Sequence, residues 1–221
     1  LMETLKRANA NTAIGACGWR VAELRALPKP LLQQLCDILN MIEAGGEWQE
    51  ALRTGIISMI PKGEGGLHAE SLRPISVMST IYRLWAATRV RSIMAWQEAW
   101  ATPAVTGYRF DLSCEDAFWG LSLDVEEALM DASGLCGVAI DFKKAFDMVP
   151  WEHVFSLGRQ TGMPEQILGP LERMYAQLVR HFRVGGMLSN GFLSTNGILQ
   201  GCPISVILLN LLMQVWCNII A

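Results

Sequence analysis

No Cys-x-x-Cys pair occurs among the six cysteines (17, 36, 114, 136, 202 and 217), and the three histidines (68, 153 and 181) stand apart from them. That spacing argues against a zinc site and a disulfide framework, and it predicts a reducing, intracellular setting, nuclear or cytoplasmic. There is no Gly-x-Gly-x-x-Gly and no P-loop string, which removes the common dinucleotide and NTPase classes. Positive charge is not in excess: 18 Lys and Arg against 21 Asp and Glu give a net charge of −3. That balance is unfavourable for neutralising phosphate unless the cations are gathered locally. The first twenty residues carry no apolar core, so no signal peptide is expected. No Asp follows Asp147.

What is present is hydrophobic. Of 221 residues, 51% are hydrophobic and 18% charged, enough for a sizeable core in one domain or in one domain and part of another. The cations are gathered: between Arg53 and Arg91 there are six Lys or Arg (53, 62, 73, 83, 89, 91) and two acids (64, 70). Leu31, Leu32, Leu35, Ile38, Leu39 and Ile42 predict a helix over 28–44, with Pro28 in its first turn and Gly45-Gly46 closing it. Residues 55–61 read as a strand with Lys62 at its end, 63–68 as a Gly-rich polar loop, and 79–97 as a helix. Arg73 precedes Pro74, which favours extended backbone. Two cations on adjacent strands can grip a triphosphate, one as a point charge and one as a planar fork.

Further helices are predicted after Ser113, whose spacing to Asp116 is that of a capping box, and over 151–161 and 165–178. Two strands, 181–184 and 191–195, flank a Gly/Ser/Asn turn. The apolar run over 204–221 is interrupted by Asn210, Gln214 and Asn218. These recur every fourth residue on one helix face, which favours a buried helix with a partnered stripe over a membrane span. The chain begins with Leu1 and ends inside this apolar helix, so it is expected to be a fragment.

Residues 135–149, LCGVAIDFKKAFDMV, hold the sharpest signal. The apolar run Val138-Ala139-Ile140 reads as a buried strand that delivers Asp141 at its tip. A buried carboxylate requires a partner, and two fit: an ion pair with Lys143 or Lys144, or a metal ion.

DFKKAFDMV resembles the first catalytic-carboxylate motif of reverse transcriptases, in the form found in non-LTR (LINE-like) retroelements and group II introns. Three further blocks resemble that family in its order. They are IPKG…LRPIS…YRL, then the Gly-Tyr-Arg…Ser…Asp-Ala string from Gly107, then Gln200-Gly201-x-Pro203-x-Ser205. Gly15-Ala16-Cys17-Gly18 is similar to the family's Gly-x-Asp-Gly, with Cys17 in place of the Asp.

The resemblance implies an α+β, helix-rich, right-hand polymerase arrangement. Residues 1–133 would form a fingers-like region and 134–221 a partial palm, without a thumb. It implies RNA-directed DNA polymerase chemistry with two Mg²⁺ ions (Mn²⁺ as a substitute), an RNA template, a DNA primer and dNTP. Asp141 and the Phe142 carbonyl would meet the metal. Lys62 and Arg73 would meet the triphosphate. Phe146 would face the sugar, where a ring excludes a 2′-hydroxyl; a core role fits Phe146 as well. Gln200 and Gly201 would shape the nucleotide pocket. Tyr108 and Arg109 would stack on template nucleic acid, with packing as the other role for Tyr108, and Arg83, Arg89 and Arg91 would lie on a helix near template or primer backbone, which a solvated helix face explains as well. Asp147 and His181 read as structural.

The family's remaining carboxylates come from a later Ala-Asp-Asp hairpin, which this sequence does not contain. Alone, the chain is therefore expected to be inactive, with an apolar face open for a missing C-terminal segment. The second reading is a catalytically dead relic that binds nucleic acid or a protein partner.

Overall fold

A computed structural model describes residues 1–63 and 68–220; most of the Gly-rich loop expected over 63–68 lies outside the described residues. The chain opens with α1 (Met2–Arg7), α2 (Val21–Ala26) and α3 (Lys29–Glu43), then a hairpin of β1 (Thr54–Pro61) and β2 (Leu72–Val77). Two long helices follow, α4 (Thr80–Trp100) and α5 (Cys114–Met130), then a single turn, α6 (Ala145–Met148). The last part is α7 (Trp151–Gln160), α8 (Glu165–Gln177), β3 (Val179–Val184), β4 (Met187–Leu188), β5 (Phe192–Leu193) and α9 (Pro203–Ile220).

Local chemistry explains most boundaries. Ser79 caps α4 through the Tyr82 amide, 3.2 Å away. Ser113 and Asp116 close the expected capping box, with the Ser113 amide donating to Asp116 Oδ2 at 2.6 Å. Gly15 lies so close to the end of β2 that a Cβ there would stand 2.3 Å from the Met78 carbonyl oxygen. This holds Cys17 at the start of α4. Burial alone would raise the Cys17 thiol, but hydrogen bonds from Trp19, Ser79, Thr80 and Ile81 outweigh it and draw its pKa below the ordinary value.

The sheet runs β2-β1-β3-β4, with β5 also on β3. β1 is antiparallel to β2 (Ile57 opposite Ser76) and parallel to β3 (Ile56 opposite His181). β1 and β2 thus share a sheet with β3, and α4 packs along α9, so a boundary at 133/134 cuts through both sheet and core. Among the deepest side chains, Trp48 meets Tyr82 and Trp85 edge-on at 5.5 and 5.2 Å and donates its indole N–H to the Pro170 carbonyl at 2.8 Å.

By length and composition α9 could cross a membrane. Its polar stripe is bonded within the protein. Asn210 donates to Gln97 Oε1 (3.0 Å) and the Gly107 carbonyl (2.7 Å), and Gln214 Oε1 accepts from the Thr102 amide (2.7 Å). The helix ends by exposing Ile219 and Ile220.

One expectation is corrected. Residues 133–142 form no strand, and Val138 and Ile140 are 86% and 58% exposed. A strand needs a neighbour to pair its amides and carbonyls. No described strand runs beside this segment, so its apolar pattern is not realised as burial. α5 shows the same thing on a larger scale: no residue of it is buried, and Leu121, Val125 and Leu129 of its apolar stripe face outward. The open apolar face therefore lies on α5 and residues 134–142.

Trp48→Ala removes a large buried ring and its hydrogen bond, and should cost about 3–5 kcal/mol of unfolding free energy in urea titrations.

Candidate nucleotide-binding site

The turn 197–202 is pinned on every side. The Gly197 amide donates to the Val149 carbonyl (2.7 Å) and the Ile198 amide to the Phe146 carbonyl (2.8 Å), which ties the turn to α6. The Leu199 amide donates to the buried phenol of Tyr175 at 3.1 Å, and the Tyr82 hydroxyl lies 3.2 Å from Cys202 Sγ. On its outer edge β2 donates the Ser76 amide to the Gln200 carbonyl at 3.2 Å. Gln200 Nε2 donates to Asp147 Oδ1 at 3.1 Å, which orients the Gln200 amide. Gly201 has φ +100°, and a Cβ would stand 3.3 Å from the Ser76 carbonyl oxygen. Only glycine meets both conditions without strain.

These bonds build a cleft of about 360 Å³ lined by Tyr108, Phe146, Gln200, Gly201, Pro203 and Val206. Three segments distant in sequence meet there, one of them the first turn of α9. Phe146, Gln200, Gly201 and Tyr108 are thereby brought together.

Lys62 and Arg73 do not line this cleft. Arg73 is on β2 opposite Ile60, so alternation puts Ile60, Arg73 and Ile75 on one face, and Lys62 directly follows the end of β1. The Ile75 side chain comes within 3.9 Å of the Cβ position at Gly201, which joins that face to the cleft rim. Both cations are exposed, and Lys62 Nζ donates to the Glu70 carbonyl at 2.9 Å.

Asp141 is displaced from its expected place. It lies in exposed coil and is not among the residues that line the Gln200 cleft. Beside it Phe142 packs edge-on to Trp216 at 5.7 Å, in a separate apolar cleft with Leu209 and Met148. Among the described residues no three His, Cys, Asp or Glu side chains gather as a metal site. One carboxylate and one backbone carbonyl do not fit the donor set of a two-ion site.

The profile of the reverse transcriptase (RNA-dependent DNA polymerase) family matches residues 60–221. The chain belongs to the reverse transcriptase family. It is 25% identical over 211 residues to the Retrovirus-related Pol polyprotein from type-2 retrotransposable element R2DM of Drosophila melanogaster, covering 94% of this chain and 19% of that protein. It is 26% identical over 168 residues to the Transposon TX1 uncharacterized 149 kDa protein of Xenopus laevis, covering 72% and 12%. The chain thus spans less than a fifth of these relatives. A partial Cas6-RT-Cas1–Cas2 complex contains a chain that superposes with a TM-score of 0.50 at 14% identity, over 98% of this chain and 33% of the other. That likeness shows the shared α+β polymerase fold.

Within this reverse transcriptase chain several arginines are committed to the scaffold. Arg89 pairs with Glu43, which also accepts from the Trp85 indole at 2.6 Å. Arg109 is 10% exposed; it forks onto Glu98 (2.7 and 3.1 Å) and donates to the carbonyls of Thr102 (2.6 Å) and Val105 (3.1 Å). Neither guanidinium is free for nucleic acid, which corrects the sequence reading of both. Arg83 donates to the Ala13 carbonyl and Thr80 Oγ1, and burial lowers its pKa. Arg91 is exposed, 3.6 Å from Glu3. His181 Nδ1 bonds the Ser189 carbonyl, in keeping with a structural role.

The sequence reading missed Ser76, Tyr82 and Tyr175, which hold the Gln200 turn. Ser76 and Tyr82 lie in the LRPIS and YRL strings, but nothing in those strings points to the Gln200 turn, and Tyr175 reads as an ordinary member of an apolar helix.

The hydrogen bond from Arg109, with its charge, holds the Glu98 carboxyl below the usual range. A depressed folded-state value gives stability that is present above the unfolded-state value and lost as pH falls through the folded one. Glu98→Gln should lower Tm at pH 7 by about 2–4 °C. The gap to the unsubstituted chain should close as pH falls through that depressed value, in thermal melts across pH.

Proposed function

We propose that this chain supplies the nucleotide-pocket part of an RNA-directed DNA polymerase of a non-LTR retrotransposon. The reading rests on one observation: Phe146, Gln200 and Gly201, from two motifs some fifty residues apart, meet in a single cleft stitched to the edge of β2. In this reading the incoming dNTP lies against Gly201, where no side chain keeps it from the backbone. Gln200, oriented by Asp147, forms the pocket wall. The Phe146 ring occupies the space of a ribose 2′-hydroxyl. Arg73, on the sheet face that reaches the rim beside Ile75, and Lys62, just past the end of β1, take the phosphates.

Fingers would be built around the β1–β2 hairpin and the palm around α6 and α9. By the resemblance Asp141 and the Phe142 carbonyl would be this chain's donors to the family's divalent-metal site, but with Asp141 in exposed coil outside the cleft they do not by themselves make that site here. Template RNA and primer DNA complete the substrate set in the whole protein.

Equilibrium dialysis with dTTP and UTP tests the pocket. The unsubstituted chain should prefer dTTP, and Phe146→Val should narrow that preference by roughly tenfold or more. An unchanged ratio would remove Phe146 from the sugar site. In primer extension on an RNA template with Mg²⁺, the 221-residue chain should incorporate nothing, because one carboxylate does not hold the ion pair. Clear incorporation would refute the assignment of the missing donors.

A further inference from the structure

The two N-terminal helices do not close completely over α4. A cleft of about 310 Å³ remains between α1, α2 and α4. On α4 it is lined by Thr80, Arg83, Leu84, Ala87 and Arg91, which follow helical spacing, so one stripe of the helix forms a wall. From Thr80 to Arg91 that stripe is about 16 Å long at the α-helical rise, which makes the cleft a slot. Leu5 of α1 and Val21 and Leu24 of α2 also line it. Pro203 borders both this slot and the Gln200 cleft.

The hydroxyl groups of the wall already have partners. Thr80 Oγ1 donates to the Trp19 carbonyl at 2.7 Å and Thr12 Oγ1 to the Asn9 carbonyl at 3.2 Å, while Thr4 Oγ1 accepts from Thr88 Oγ1 at 3.0 Å. Asn9 Oδ1 accepts from the Asn11 amide at 2.9 Å. These residues therefore offer the slot mainly hydrocarbon, beside the aliphatic Leu5, Val21, Leu24 and Leu84. A peptide or a nucleoside would give up its bonds to water here with little in return. A hydrocarbon chain loses nothing of that kind and gains from leaving water.

The charge at the slot has one sign. Its described lining residues include three arginines and no acid. Arg7 and Arg91 share one carboxylate: Glu3 Oε1 lies 2.5 Å from Arg7 Nη2 and 3.6 Å from Arg91 Nη1. Arg83 has no acid partner among the described residues; its Nη2 donates to the Ala13 carbonyl and Thr80 Oγ1. Three guanidiniums and one acid leave the cluster short of an anion. Arg91, held only by the longer contact, is the one placed to take it.

We propose that this slot binds a medium-chain aliphatic carboxylate, its chain along the α4 stripe from Thr80 to Ala87 and its carboxylate on Arg91. The slot is at the small end of the range for ligand sites, which suits a chain of roughly eight to ten carbons. The inference stands apart from the nucleotide-pocket reading, since Pro203 is the one lining residue the two clefts share.

The test is isothermal titration calorimetry of the 221-residue chain with octanoate and with 1-octanol. Octanoate should bind one to one, and affinity should rise about fourfold per methylene from hexanoate to octanoate. Octanol should bind about two- to fivefold more weakly, the contribution of a partly exposed ion pair. Arg91→Ala should bring octanoate down to the octanol level and leave octanol unchanged, while Arg91→Lys should keep most of the difference. Arg91 is exposed, so neither change should disturb the fold. Ala87→Phe, which places a ring in the slot, should remove binding of both ligands while circular dichroism shows the chain folded. No saturable octanoate binding, equal affinity for octanol, or unchanged octanoate affinity in Arg91→Ala would overturn the proposal. So would undiminished binding in folded Ala87→Phe, which would put the chain on exposed apolar surface such as that of α5.

Discussion

The hydrogen bond from the Ser76 amide to the Gln200 carbonyl is the constraint on which the candidate site depends. β2 is an edge strand, and an unpaired edge is a row of open donors and acceptors. Here one of those donors is used to fix a turn rather than to extend the sheet. Because the turn must come that close, residue 201 cannot carry a side chain, and because its φ is positive, glycine is the residue that fits. The buried phenols of Tyr175 and Tyr82 fix the turn from behind, and α6 fixes it from the side. A loop of six residues is thereby held by α4, α6, α8 and β2 together, which is the rigidity a positioning site needs.

Charge is used in two distinct ways. Arg89 and Arg109 are spent inside the scaffold: each carries a carboxylate partner, and Arg109 also satisfies two loop carbonyls. Arg73 and Arg183, on the sheet face they share with Ser58, and the exposed Lys62 and Arg20 carry no carboxylate partner among the described residues. A net charge of −3 therefore coexists with a locally cationic face. Total charge reports solubility and long-range steering; the arrangement of unpaired cations reports where an anion can bind.

The helices were largely legible in the sequence. α3, α4, α7, α8 and α9 begin and end within a few residues of their sequence signals, because prolines, serine caps and apolar spacing act locally. The capping box of α5 was legible for the same reason, yet the burial of its apolar stripe was not, since burial depends on a facing surface. The 135–141 segment marks the same divide. Its composition fits a buried strand, but a ladder is a property of two segments, and this one has no described neighbour. The commitments of Arg89 to Glu43 and of Arg109 to Glu98 were equally unreadable, because they depend on how α3, α4 and the 101–113 loop come to lie against one another.

By itself the sequence determined the family, through short strings whose residue types and order are specific, and the positions of most helices, through forces that act over one or two turns. Tertiary structure alone decided which motif residues meet. It put Phe146, Gln200 and Gly201 in one cleft and left Asp141 outside it. It chose which arginines are consumed by internal carboxylates and which stay free. The physical reason is that pairing, burial and closure are relations between segments far apart in the chain, and no single stretch carries the information for both partners.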